Sequence, residues 1–258
     1  MTIDFHDTNN QTTYSTRDAD QSWIQLITEN INLLGKDVVD IGCGGGIYSK
    51  ALAELNVNHV TAVDFSEEML KGATKNCKDY NNISLIKGNA YHTKLPSYKY
   101  DFILERALIH HLDDLKACFD EANRLLKKNG ILIVQDRTPE DCLLPGNDHH
   151  LRGYFLEMYP KLIKKETSRR YTSHEVKTAL ESAGFKVEKS VKLWETRRYY
   201  HNFESLREDL LLRTGRSILH ELTDKELKLF VNFIETKLQH QTSFVEKDRW
   251  TVWFASKK

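Results

Sequence analysis

Four glycines fall within seven residues, Asp40-Ile41-Gly42-Cys43-Gly44-Gly45-Gly46, between an apolar run and a helical pattern. So much bare backbone serves either a tight turn or a ligand that lies against the main chain. The spacing limits which ligand. A pyrophosphate fingerprint, G-x-G-x-x-G, would use Gly42 and Gly44 but then meets Ile47, and no lysine follows in the phosphate-loop pattern. What remains is D-x-G-x-G-x-G over Asp40, Gly42, Gly44 and Gly46, a loop suited to a ligand portion without phosphate. Further along, Asp64 closes the run HVTAVDF, where a carboxylate can accept hydrogen bonds from two ribose hydroxyls or, beside Ser66, cap a helix. Past a fourth apolar run stand Glu105, Arg106, His110 and His111. An imidazole titrates near neutrality and is a candidate general base; a loop and helix-cap role is the other reading of both histidines.

These residues need elements to hold them. Strand patterns are DVVDIG (37–42), HVTAVDF (59–65), ISLIKG (83–88), YDFILE (100–105) and GILIVQD (130–136). Helical patterns lie between them at 46–55, 66–79 and 113–127, the second with Ser66 as cap and Glu67 and Glu68 in its first turn. The alternation predicts an α/β fold, a doubly wound, Rossmann-like parallel sheet with helices on both faces. Before it, residues 20–34 place Trp23, Ile24, Ile27, Ile31 and Leu34 on one helical face, with Gly35 as the stop. After it, 137–171 reads as irregular, with Pro139, Pro145 and Pro160; a helix fits 173–184 with Ser173 as cap; and strands at 185–195 and 244–255 flank a helical insertion. The last two strands make the sheet seven-stranded, the final one antiparallel.

The loop at 40–46, Asp64, the segment GNAYHTKLP (88–96) and the run from YDFILERALIHHLDD (100–114) to NRLLKKNGILIVQD (123–136) resemble, in order and spacing, class I S-adenosylmethionine (SAM) dependent methyltransferases. The likeness is to the small-molecule type, similar to the bacterial quinone-pathway group. It implies a cofactor site of Asp40, Gly42, Cys43, Gly44, Gly46, Asp64, Phe65, Met69, Asn89, Ala90, Glu105 and Arg106. In that family an acid stands where this chain has Asn89, whose amide oxygen can still accept from the adenine amino group without a charge. Arg106 directly follows the strand, where its backbone passes the methionine moiety, and Glu105 is the alternative of a buried, paired carboxylate. Members that methylate exocyclic nitrogens of nucleic-acid bases often carry N-P-P-Y after the fourth strand; this chain has Glu105-Arg106-Ala107-Leu108 there.

The resemblance divides the chain into an N-terminal arm and helix as a lid (1–34), a SAM-binding core (35–136), and the rest of the same domain (137–258) with substrate-covering segments at 137–171 and 196–240. Tyr14 and Arg17 are lid residues expected at the cofactor, Arg17 as a partner for its carboxylate or that of the acceptor. Tyr154, Arg170, Tyr171 and Arg197 are expected to meet an anionic or aromatic small-molecule acceptor. Their alternative is solvent or the abundant glutamates.

Charge supports a small substrate. The 37 basic and 37 acidic residues cancel, so no global field draws nucleic acid or a membrane surface. The start has no apolar signal core and no run spans a bilayer, which together with four scattered cysteines suggests a cytoplasmic protein. Neither C-x-x-C nor H-E-x-x-H occurs, so no metal is expected. Two other functions stay open: a SAM-binding module without catalysis, and an NAD(P)-dependent oxidoreductase, against which Ile47 argues.

Overall fold

The computed structural model describes residues 18–258. Tyr14 and Arg17 lie outside them. The described chain forms two compact units, one of residues 18–136, 171–193 and 251–258, the other of 137–170 and 194–250.

The first unit is built on the sheet. Its elements are α1 (Gln21–Asn30), β1 (Asp37–Ile41), α2 (Ile47–Glu54), β2 (His59–Asp64), α3 (Glu67–Asn76), β3 (Ile83–Lys87), β4 (Tyr100–Arg106), α4 (Leu115–Leu125) and β5 (Leu126–Asp136). After α5 (Pro139–Cys142), α6 (Leu151–Met158) and α7 (Lys161–Thr167) come α8 (Ser173–Ser182), β6 (Phe185–Tyr200), α9 (Phe203–Leu211), α10 (Asp224–Leu238) and β7 (Phe244–Lys257). The strand order is β3-β2-β1-β4-β5-β7-β6, parallel from β3 to β5 and antiparallel where β7 pairs with β5. The expected seven-stranded sheet with an antiparallel last strand is therefore present.

Period-two alternation divides the core. Val39, Ile41, Ile103, Leu132 and Val134 face one side, where Phe119 of α4 and Leu180 of α8 cover them. Val38, Phe102, Leu104 and Ile133 face the other, under Trp23 and Ile27 of α1 and Leu52 of α2. The helix of the N-terminal segment is thus a core element of the sheet unit, with Trp23 and Ile27 fully buried. Its stop comes earlier than Gly35: α1 ends at Asn30, so Leu34 is exposed and Leu33 takes the buried place.

The second unit corrects the reading of 137–171 as irregular. Two of its three prolines, Pro139 and Pro160, stand at helix starts, and Pro145 lies in the loop between α5 and α6. Thr138 caps α5 in a reciprocal box with Asp141 and Pro139 fills the first turn, while Pro160 immediately precedes α7. The insertion supplies α9, a 3₁₀ turn at Ser217–Glu221 and α10. Leu151, Phe155, Leu206, Leu210, Phe230, Val231 and Ile234 form this unit's own apolar core. One cap also moves. Thr172, not Ser173, caps α8, because Glu175 falls three residues after Thr172 and closes the box. Among the described residues no helix is long and apolar enough to cross a membrane.

Candidate active site

Parallel pairing brings four strand ends to one edge of the sheet. Ile41 lies beside Val63 and Glu105, and Arg106 beside Gln135. Gly42, Asp64, Arg106 and Asp136 therefore stand in one row, and the order reverses between β1 and β4. Open α/β sheets bind ligands at this kind of switch point, outside the carboxyl ends of the strands.

The glycine loop is held from below. Gly42 and Cys43 both donate backbone N–H to Val63 O, and Gly46 donates to Cys43 O. Beneath the loop Asp40 is buried and accepts from Ser49 Oγ at 2.6 Å. Burial raises the Asp40 carboxyl to about 6. The glycines divide by what surrounds them. A Cβ on Gly46 would meet Cys77 Sγ at 2.7 Å, and one on Gly42 would meet Leu108 Cδ1 at 2.9 Å. A Cβ on Gly44 would meet nothing within 4 Å, at a left-handed φ of +53°. Of these three glycines, Gly44 is the one with open space at its α-carbon.

Asp64 is joined to that loop. Its Oδ2 accepts the Gly44 N–H at 2.8 Å and its Oδ1 accepts the Ser66 N–H at 2.9 Å. These use part of a carboxylate's capacity of about four hydrogen bonds. The cap of α3 is Ser66, whose Oγ accepts from Met69 N, so Asp64 is not the helix cap. Phe65, next in the chain, is 52% exposed, whereas the Met69 side chain is buried. Asn89 is exposed, with Oδ1 accepting from Tyr91 N at 2.8 Å in a local turn; Ala90 follows, half-buried. Cys43 is buried, and burial pushes its thiol up, so it is no nucleophile.

At the end of β4, Glu105 is fully buried; Cys118 Sγ lies 3.4 Å from its Oε1, and its Oε2 has no hydrogen-bond partner among the described residues. Burial raises this carboxyl to about 7. The Arg106 guanidinium lies 4.0 Å from the centre of the Tyr48 ring. Ala107 then adopts a left-handed φ of +52° and turns the chain off the strand. Leu108 lands against Gly42, and the turn Ile109–His111 carries both histidines. His110 Nδ1 is 2.7 Å from Asp136 Oδ2, and the His111 ring, exposed, lies 3.9 Å from that of His110.

The four residues expected to meet an acceptor are differently placed. Tyr171, in the sheet unit, donates its hydroxyl to Leu112 O at 2.6 Å. In the other unit Tyr154 is a core residue edge-on to Phe233. Arg170 is buried 3.2 Å from Glu166, which also faces Arg137, Arg152 and Arg169. Arg197 holds Asp209 and Glu246 at 3.1 and 3.0 Å. Both arginines thus serve carboxylates of their own unit. Asp136 and Tyr48 were not singled out from sequence. The signal for Asp136 was its place, an acid closing a strand at the ligand edge of a parallel sheet.

Fold and loop together form a Rossmann-like candidate ligand site at the switch point of the sheet. Residues 39–134 match the family model of the methyltransferase domain. Over these residues the core is similar to methyltransferase domains. The chain is 32% identical over 130 residues to a demethylmenaquinone methyltransferase of Listeria welshimeri, covering 49% of this chain and 54% of that protein. It is 33% identical over 139 residues to a ubiquinone biosynthesis O-methyltransferase of Actinobacillus pleuropneumoniae, covering 50% and 57%. The chain spans about half the length of the curated relatives it matches. A SAM-dependent methyltransferase of Aquifex aeolicus shares the fold, with a TM-score of 0.57, 21% identity and coverage of 72% of this chain and 92% of that one.

Proposed function

We propose that this chain transfers a methyl group from S-adenosylmethionine to a small-molecule acceptor. One observation carries the reading: the Gly44 N–H bonds to the Asp64 carboxylate at 2.8 Å, with open space above Gly44. The residues fit the cofactor. The Gly42–Gly46 backbone would hold its amino-acid half, Asp64 its ribose, and exposed Phe65 and Asn89 with half-buried Ala90 its adenine. S-adenosylmethionine supplies a methyl group on an electrophilic sulfonium, so binding, orientation and exclusion of water are left to the protein. Asp40 supports the loop from beneath, through Ser49. The names of the relatives, demethylmenaquinone methyltransferase and ubiquinone biosynthesis O-methyltransferase, favour a quinone-type aromatic acceptor, and we assign that class. Balanced charge argues against nucleic acid.

Calorimetry with S-adenosylmethionine tests the cofactor assignment. Asp64→Ala leaves ribose hydroxyls unpaired, a cost of about 1–3 kcal/mol, and should weaken binding roughly tenfold or more. Equal affinity in the variant, or no binding by the wild type, would reject the site. Incubation with labelled S-adenosylmethionine and reduced demethylmenaquinone then tests the acceptor class, which fails if other metabolites take the label and this one does not.

A further inference from the structure

Two groups at the ligand edge of the sheet are placed for work that cofactor binding does not require. Asp136 is the last residue of β5, and His110 sits on the turn that leaves the neighbouring β4. One oxygen, Asp136 Oδ2, takes both the ring Nδ1 of His110 at 2.7 Å and its backbone N–H at 3.3 Å. The Asp136 side chain is 2% exposed and that of His110 11%.

We propose that His110 is the general base of methyl transfer and Asp136 its positioning residue, so that the accepting atom carries an ionisable proton. This rests on the methyltransferase reading above. A carboxylate only accepts, so the imidazole proton is placed on Nδ1 and the basic lone pair on Nε2. Two bonds from one residue to one oxygen also fix the plane of the ring. Burial keeps the pairing strong, because little water competes for it. His111 is exposed, and its ring lies tilted beside that of His110, 3.9 Å away.

The proton on the acceptor moves to His110 Nε2. The electron pair it leaves forms the new bond to the methyl carbon, and the pair of the broken carbon–sulfur bond stays on sulfur. Asp136 offsets the imidazolium charge until the proton passes to water. The acceptor is then a phenol, another hydroxyl, a primary or secondary amine, or a ring carbon made acidic by a neighbouring oxygen. Thioethers and tertiary amines have no such proton.

The rival role for Asp136 is to pin the 109–111 turn. Nitrogen NMR on the ligand-free full chain with labelled histidine separates the two. His110 should be the Nδ1–H tautomer, and Asp136→Asn should lower its titration midpoint, because the carboxylate's charge that favours the imidazolium is gone. In methyl transfer from labelled S-adenosylmethionine into a bacterial metabolite extract, His110→Gln should reduce turnover by about 10²–10⁴-fold, with cofactor affinity within about twofold. Asp136→Asn should move the rising limb of the pH–rate profile to lower pH, which a turn-pinning role would not do. An Nε2–H tautomer, an unchanged titration in Asp136→Asn, or full turnover in His110→Gln overturns the proposal. Failure of the wild type to bind S-adenosylmethionine overturns the proposed function and this inference together, whereas the tautomer result alone overturns only the second.

Discussion

The backbone N–H of Gly44 donates to Oδ2 of Asp64 across 2.8 Å, and this bond ties the loop after β1 to the end of β2. The carboxylate assigned to the ribose therefore also sets the shape of the loop assigned to the amino-acid half. A change at one should be felt at the other, while Gly42 and Gly46 answer to the side chains packed against them.

That difference yields the first prediction. Alanine at Gly44 meets no atom within 4 Å and costs only the left-handed strain, about 1–2 kcal/mol. Alanine at Gly46 has the same strain and also meets Cys77 Sγ at 2.7 Å and Ala73 Cβ at 3.2 Å. Gly46→Ala should lower the melting temperature clearly more than Gly44→Ala. Gly44→Ala should still weaken S-adenosylmethionine by roughly tenfold, since its methyl group fills the ligand's space. Calorimetry and thermal melts on both variants check this, and unchanged cofactor affinity in Gly44→Ala would remove the loop from the site.

The parallel half of the fold was legible because each strand is a short apolar run followed by glycine or an acid, and α1, α3 and α4 carry local start signals. Ser66 before Glu67 and Glu68 is such a signal, and the structure uses it. The region after Asp136 was less legible, since Pro139 and Pro160 read as breakers although they stand at helix starts. The partners of the arginines were hidden for a different reason. Arg170 could be read as a substrate ligand because Glu166 is one helical turn away and nothing local says that they pair inward. Arg197 meets Glu246, 49 positions distant, and no sequence pattern announces a contact of that range. The same distance effect concealed the partner of His110: Asp136 lies 26 residues further along, on the adjacent strand.

The second prediction concerns that buried charge centre. Arg216, with a fully buried side chain, reaches Glu246 at 2.5 Å and Asp209 at 2.6 Å, and Tyr200 joins both carboxylates. Burial works against ionising Asp209, yet Arg216 and Arg197 hold it at about 2. Arg216→Met leaves two buried acids short of charge, which should cost about 3–5 kcal/mol. Arg198 also pairs with Asp209, but its side chain is 53% exposed, so Arg198→Met should cost less than about 1 kcal/mol. Urea unfolding followed by a probe in the 194–250 segment compares them. Equal midpoints would mean that the buried arginine is no keystone of this unit.

The last prediction is a dependence on pH, and Glu105 supplies it. Its carboxyl is fully buried, touches Cys118 Sγ through Oε1, and is raised from 4.5 to about 7 by burial. The protonated form is thus the one the fold prefers. Between about pH 4.5 and 7 the unfolded chain releases this proton while the folded chain keeps it, so stability falls as pH rises. Below that window Glu105 contributes its full share, and above it both states are ionised and the loss is complete, roughly 3 kcal/mol for a shift of this size. Asp40, raised to about 6, tilts the curve the same way, so the wild-type slope alone does not isolate Glu105. Glu105→Gln does, because it keeps an acceptor for Cys118 and removes the ionisation. Urea midpoints at pH 5 and pH 8 should show a smaller drop for the variant than for the wild type, with the variant the more stable protein at pH 8. Parallel curves for the two proteins would show that Glu105 is ionised throughout, held by a partner its Oε2 would then require.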